Sequence, residues 1–380
     1  MKSKVVVLRC ESYDSEAVFS AVKKGIDLLG GITSLVEPSE KILLKPNLLN
    51  RISPDVGATT NPVVVEAVAR LLHEKQYSSV SYGDSPGHPG NPEKTAAACG
   101  MKTAAERFNL SFGGFSKGKT IEFPEGFVAK SFEICDAALD CDAIINICKM
   151  KTHQLERITG AVKNMLGCVH GLNKARMHVK YPDPDSFGKM LVDLNLLLKP
   201  RLHIMDGIIA MEGNGPMSGD KVQMNCLLIS TDPVALDAVF CRLVNLDTEL
   251  VPTVKFGEEF GLGNSKESNI ELLGDSITEL INPAFNVERG SIKIRAASFS
   301  GIAKTFFTKR PYIKNTLCKR CGLCVEACPV NGKAVYYPNG NRTKIPVFDY
   351  KKCIRCYVCQ ELCTEKAVLV KTPFLGKIIR

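Results

Sequence analysis

AIINICKMKTHQLERITGAVKNMLGCVHG, residues 143–171, sets the reading of the chain. Ala143 to Cys148 is an apolar run broken only by Asn146, as in a strand buried on both faces. Lys149, Lys151, Thr152 and His153 follow at once. A helical pattern then takes over. Leu155, Ile158, Val162, Met165 and Leu166 form its buried stripe, and Thr159 and Lys163 stand four apart on one face. A buried strand feeding a helix is the repeating unit of an α/β fold. Cations and donors crowd its mouth, where a helix N-terminus offers free N–H groups and partial positive charge. The expectation is an anion-binding corner for a carboxylate or phosphate, with Asn164 beside it.

The same alternation extends on both sides. Strands are expected at Lys4–Leu8, Lys41–Leu44, Ser79–Tyr82, Leu202–Met205 and Met224–Ile229. Helices are expected from Ser15 to Leu29, ended by Gly30-Gly31, and from Pro62 to about Gln76 with Asn61 as N-cap. Asp232-Pro233 opens another through about Val244. This pattern predicts an α/β fold whose mostly parallel sheet is covered by helices on both faces. Ligands in such sheets bind at the carboxyl ends of strands. The polar groups expected there are Lys45, Asn47, Asp84, Lys149 through His153, Asp206, Glu212 and Asn214. Asp84 and Asp206 read as metal ligands, catalytic acids, caps or turn formers. Asp232 reads as a cap and Asp237 is open. Neither G-x-x-x-x-G-K-[ST] nor G-x-G-x-x-G is present.

Sixteen cysteines among 380 residues are many, and half are clustered. Residues 318–329 read CKRCGLCVEACP and residues 353–364 read CIRCYVCQELCT. Both runs have the spacing C-x2-C-x2-C-x3-C, an internal repeat. The spacing resembles bacterial ferredoxins with two [4Fe–4S] clusters, in which each fourth cysteine ligates the other cluster. That resemblance implies one cluster on Cys318, Cys321, Cys324 and Cys363, and another on Cys353, Cys356, Cys359 and Cys328. It also implies a small α+β domain. Thr364 departs from the pattern where a second proline often stands, but proline is no ligand. Zinc ribbons use separated C-x-x-C pairs, not two runs of four. The other eight cysteines lack ligand spacing and read as buried small hydrophobes; Cys148 and Cys168 are possible reactive thiols. His73, His170, His178 and His203 stand singly and read as structural or surface residues.

The net charge is +9. From residue 301 onward, 16 basic residues face four acidic ones, a net +12, against −3 before it. An oxidised [4Fe–4S] core with its thiolates carries about −2, which offsets part of that excess. The rest suits an acidic redox partner. A nucleic-acid role is disfavoured, because aromatic residues do not alternate with the cations. No apolar run approaches a membrane span, and the N-terminal apolar stretch is too short for a signal peptide, so a cytoplasmic location is expected.

The runs LLKPNLL (43–49), TTNP (59–62), YGDSPG (82–87), KMKTH with TGAVKNMLG (149–167), MEGNGP (211–216) and STDPVALDAV (230–239) resemble the domain-of-unknown-function family 362. The likeness covers roughly residues 1–280 and implies the α/β architecture and a ferredoxin fusion. The expected organisation is an α/β domain over 1–281, a connecting segment over 282–315, a two-cluster ferredoxin domain over 316–370 and a tail over 371–380. The leading expectation is an oxidoreductase passing electrons from a low-potential partner protein through both clusters to an anionic substrate or cofactor. Lys149, Lys151 and Lys163 would hold that anion and His153 would supply a proton. The alternative is a non-catalytic electron carrier or a metallocofactor assembly factor, with Asp84, Asp206 and Glu212 as ligands.

Overall fold

Apolar runs that alternate with amphipathic helices pair into one sheet of nine strands in the computed structural model. It describes residues 2–87, 90–171, 173–290 and 308–374. The strands, with a small hairpin included, are β1 (Ser3–Arg9), β2 (Ile42–Pro46), β3 (Val80–Tyr82), β4 (Ser111–Phe112), β5 (Gly118–Glu122), β6 (Ser131–Cys135), β7 (Ala143–His153), β8 (Arg157–Thr159), β9 (Leu202–Glu212), β10 (Asp220–Ser230) and β11 (Ile270–Gly274). The sheet order is β11-β1-β10-β9-β7-β2-β3-β4, with β8 paired to β7 and β5–β6 apart. Pairings from β9 through β4 are parallel, as is β1 with β11. Strand β10 runs antiparallel to both neighbours. The sheet is therefore mostly parallel, and helices cover it on both faces.

Each face has its own core, and β1 shows why. Val5 and Val7 point into one core and Val6 and Leu8 into the other, the period-two alternation of a strand buried on both sides. One face is sealed by helices Ser15–Leu28 and Pro62–Glu74 through Val18, Val22, Ile26, Val64, Val68 and Leu72. The other is sealed by Pro184–Leu198 and Pro233–Leu243 through Phe187, Leu191, Leu194, Leu236 and Phe240. The caps follow the sequence: Asn61 accepts from Val63 N, and Asp232 from Val234 N and Ala235 N. Gly30 and Gly31, with φ of 106° and 86°, end the first helix.

The stretch 143–171 departs from expectation. The strand does not stop at Cys148 but continues through Lys149 to His153, buried throughout. It then folds back as β8, with Lys151 opposite Thr159. Only Ala161–Asn164 is α-helical, and a 3-10 turn over Met165–Cys168 follows it. Thr159 therefore lies on a strand and shares no helix face with Lys163. Residues 149–153 remain strand because they find ladder partners in β8 and β9, which outweighs a local helical periodicity. Strand β9 likewise runs past Met205 to Glu212, so Asp206 sits inside a strand rather than in a loop.

Beyond residue 308 the elements are short: β12 (Arg310–Ile313) pairs with β15 (Val368–Lys371), and β13 (Val335–Tyr336) with β14 (Val347–Phe348). Two one-turn helices, Leu323–Glu326 and Val358–Glu361, follow equivalent positions of the two cysteine runs. Matching left-handed residues precede them: Arg320 and Arg355 at φ 58° and 69°, Gly322 and Tyr357 at 89° and 61°. The sequence repeat is thus a backbone repeat. Residues 291–307 of the expected connecting segment, and 375–380 of the tail, lie outside the described residues.

Candidate functional site

The carboxyl ends of β2, β7 and β9 carry a buried polar layer. Lys45 Nζ lies 2.9 Å from Asp84 Oδ1, with both side chains almost fully buried. Asp84 Oδ2 also accepts from Leu48 N at 2.7 Å. Gly167 borders this pair: a Cβ there would overlap the carboxylate and the ammonium. Lys149 Nζ meets Asp206 Oδ2 and the Tyr13 hydroxyl, both at 2.8 Å. Asp206 takes further bonds from Tyr13 and from Asn61 N. Burial pushes the Lys149 ammonium down, against the pull of Asp206, and pushes the Tyr13 phenol up, with Asp206 adding to it. Two of the expected anion-binding lysines are therefore already matched to internal carboxylates.

Lys151 differs. Its Nζ bonds the neutral oxygens Asn47 Oδ1 (2.7 Å) and Ala58 O (2.6 Å). Among the described residues no carboxylate contacts it, and burial and then Lys163 lower its pKa to about 7. Asn47 also bonds Asn164, which bonds Asn146 and Lys45 O. Thr152 Oγ1 accepts from Gly215 N and donates to Gly213 O. Thr159 Oγ1 donates to Lys149 O, and Glu212 accepts from Asn286 N. The backbone oxygen of Asn214 accepts from Gln360. The expected helix-terminus corner is not formed. The N–H groups of Ala161 and Val162 go to the Asp237 carboxylate, for which Gly160 leaves room. Asp237, open from sequence, is this helix's anion. Burial raises its carboxyl to about 7 against those two bonds.

The cysteine-rich part seats directly on this layer. Gln360, Glu361 and Leu362 lie between Cys359 and Cys363. His153 Nε2 lies 2.7 Å from Glu361 Oε1. His153 Nδ1 accepts from Leu155 N and Glu156 N, so Nε2 carries the proton and donates to Glu361. Burial and then Lys163 lower the imidazole to about 4, which leaves it a neutral donor. Burial would raise Glu361, but Lys163 and His153 outweigh it and hold the carboxylate ionised. Gln360 Nε2 donates to Asn214 O at 2.6 Å, and Asn50 Nδ2 to Leu362 O at 3.1 Å. No sequence signal selects Glu361; its repeat equivalent, Glu326, is exposed. Tyr13, Glu156 and Asn50 were also missed, since no motif marks them and their roles arise from contacts made on folding.

The clustered cysteines fit iron–sulfur ligation. A cavity is lined by Cys318, Cys321, Cys324 and Cys363 together, with Lys319 and Arg320 at its edge. Ala334 N and Ala367 N point at the sulfurs of Cys328 and Cys363, both at 3.3 Å, repeat-related donors of the kind that tune cluster thiolates. Burial pushes the Cys324 and Cys356 thiols to about 12, so these positions favour thiolates only beside a cationic centre. Among the described residues no three His, Cys, Asp or Glu side chains converge on a single ion. Asp84, Asp206 and Glu212 thus do not form a common ligand set. Cys148 and Cys168 are fully buried and their thiols are raised mainly by that burial. The reactive-thiol reading falls with them.

The domain of unknown function DUF362 matches residues 42–242, and a thylakoid-associated protein of Synechocystis, sll1697, is 35% identical over 263 residues, covering 69% of this chain and 81% of that one. The chain belongs to the DUF362 family. A 4Fe-4S dicluster domain matches residues 310–364, so this DUF362 member is an iron–sulfur protein with a ferredoxin-like part. One polypeptide of the H2:CoB-CoM heterodisulfide,ferredoxin reductase of Methanothermobacter thermautotrophicus is 35% identical over 83 residues, 18% of this chain and 13% of that polypeptide. The lactate racemase apoprotein of Thermoanaerobacterium thermosaccharolyticum aligns with a TM-score of 0.41 at 10% identity, over 61% of this chain and 55% of that one. Among the described residues no helix of this DUF362 protein is long and apolar enough to cross a membrane.

Proposed function

We propose that the protein is an oxidoreductase in which two [4Fe–4S] clusters pass electrons to an anionic substrate or cofactor in the crevice of the α/β domain. Cys318, Cys321, Cys324 and Cys363 hold one cluster, and Cys353, Cys356, Cys359 and Cys328 the other. The seating of Gln360, Glu361 and Leu362 on the crevice carries this reading. Chain that separates two cluster ligands touches the residues that face a substrate. The clusters supply single electrons. Lys163 binds the anion, and Lys151, with its pKa near 7, gains or loses a proton readily as charge accumulates. His153 is positioned by Glu361 and presents a neutral ring to the site. A low-potential, acidic protein loads the clusters at the basic surface around Lys319 and Arg320. The assembly-factor alternative needs Asp84, Asp206 and Glu212 as ligands, and each is engaged separately.

The test is anaerobic. The clusters are reduced with dithionite and the visible absorbance is followed as anionic metabolites are added. At least one should reoxidise the wild type, and do so more slowly in Lys163→Ala at unchanged iron content. If no compound in a broad panel changes the reoxidation rate or the thermal stability, the oxidoreductase reading is lost.

A further inference from the structure

Four polar atoms in and around Lys163 have no partner among the described residues. Glu156 is fully buried, and neither carboxyl oxygen accepts a hydrogen bond. His178 is 3% exposed and its Nδ1 is likewise unpartnered. The fourth is the ammonium itself: Lys163, half-buried on Ala161–Asn164, forms no ion pair within 4 Å with a described residue. Yet Glu156, Glu361, His153 and His178 all lie close enough to feel its charge. Each buried group left unbonded is costly, and native proteins rarely collect several in one place. An ammonium whose charge reaches two carboxyl groups but which pairs with neither among the described residues is open to bond something else.

We propose that Lys163, Glu156 and His178 form the seat for the carboxylate group of a small monoanionic acid. This rests on the reading of the crevice as the substrate site. Three features select that chemistry. Burial holds the Glu156 carboxyl well above the usual carboxylate range, against Lys163 and with Asp185 and Asp183, so it is a neutral O–H donor. Burial lowers His178 to about 4, so its ring is neutral and offers one N–H. A carboxylate has two oxygens that accept from an ammonium, a carboxylic acid and an imidazole at once. The seat offers one cation, Lys163, so a phosphate dianion would leave a buried charge unmatched, which disfavours it.

The surroundings limit the size of the ligand. The Phe187 ring stacks on His178 with centroids 4.3 Å apart. Gly188 faces Glu156, and a Cβ there would lie 3.2 Å from Oε2. Both walls belong to the helix Pro184–Leu198. Lys163 is the partly exposed member of the group and marks the side from which a ligand enters.

Equilibrium dialysis of the cluster-loaded protein with labelled acetate, pyruvate and inorganic phosphate tests this. Acetate or pyruvate should bind about tenfold or more tightly than phosphate. Lys163→Met should weaken carboxylate binding by about tenfold or more, the loss of one charged hydrogen bond. Glu156→Gln keeps a donor and should lose less affinity than Glu156→Leu. Circular dichroism and iron content show that each variant is folded; if Lys163→Met is not, the Glu156 pair still decides. Phosphate binding as tightly as the carboxylates, no carboxylate binding at all, or affinities indifferent to these substitutions would overturn the seat. Carboxylate binding that obeys them while no anion reoxidises the clusters keeps the seat and removes the oxidoreductase reading. Reoxidation by an anion whose affinity ignores them does the reverse.

Discussion

Replacing Asp206 by Asn should destabilise the α/β domain severely, because it strands a buried charge. Asp206 and Lys149 are 0% and 1% exposed at the side chain and their charged atoms are 2.8 Å apart. Asn has nearly the shape of Asp but only one acceptor oxygen, so either Tyr13, which bonds Oδ1, or Asn61 N, which bonds Oδ2, also loses its acceptor. Lys149 loses its counter-charge and cannot reach water. Removing one partner of a buried pair typically costs about 3–5 kcal/mol. At about 2–4 °C per kcal/mol for a domain of this size, the melting transition should fall by roughly 6–20 °C. The assay is thermal unfolding by circular dichroism, with iron content measured in parallel. Lys149→Met combined with Asp206→Asn removes both charges and should recover about half of the loss or more. A single variant that melts within about 2 °C of wild type, or a double variant less stable than Asp206→Asn, would refute the reasoning.

Lys151 should make stability depend on alkaline pH. Its ordinary value is 10.5 and its folded value about 7, so between the two the unfolded chain holds a proton that the folded chain has released. The resulting stabilisation is complete above 10.5 and disappears as pH falls to about 7, up to roughly 5 kcal/mol. Denaturation between about pH 7 and 10 should show it in wild type and not in Lys151→Met; equal slopes would contradict it. Cys321→Ser should lower iron content and visible absorbance while leaving the large domain's melting transition in place, because ligation and folding are coupled only in the small domain. Loss of both transitions together would show that the domains fold as one unit. Gly167→Ala should cost about 1–3 kcal/mol, since its Cβ overlaps the Lys45–Asp84 pair; a melt indistinguishable from wild type would place that pair elsewhere.

Much of this protein was determined by sequence alone. Strand–helix alternation is a local property, and it placed β1, β2, β3, β10, the start of β9 and the two-faced core. Asn61 and Asp232 act within their own turns and were legible as caps, as was Pro62 as a first helical residue. The two cysteine runs were legible because cluster ligation imposes a fixed spacing on a short loop.

Tertiary structure decided the rest, for three physical reasons. Residues 149–153 are strand, not helix mouth, because ladder partners from β8 and β9 override a helical periodicity. The sequence showed a cluster of lysines but not their counter-charges. Asp84 for Lys45 and Asp206 for Lys149 come from other parts of the chain, and they turn apparent anion ligands into buried pairs, while Lys163 has no such partner among the described residues. Glu361 is one acid in a cysteine loop until folding sets it 2.7 Å from His153, 208 residues away in the chain. Pattern reports what each segment tends to form. Which charge is matched, and which is left open to a ligand, depends on contacts between segments distant in sequence, and only the fold creates them.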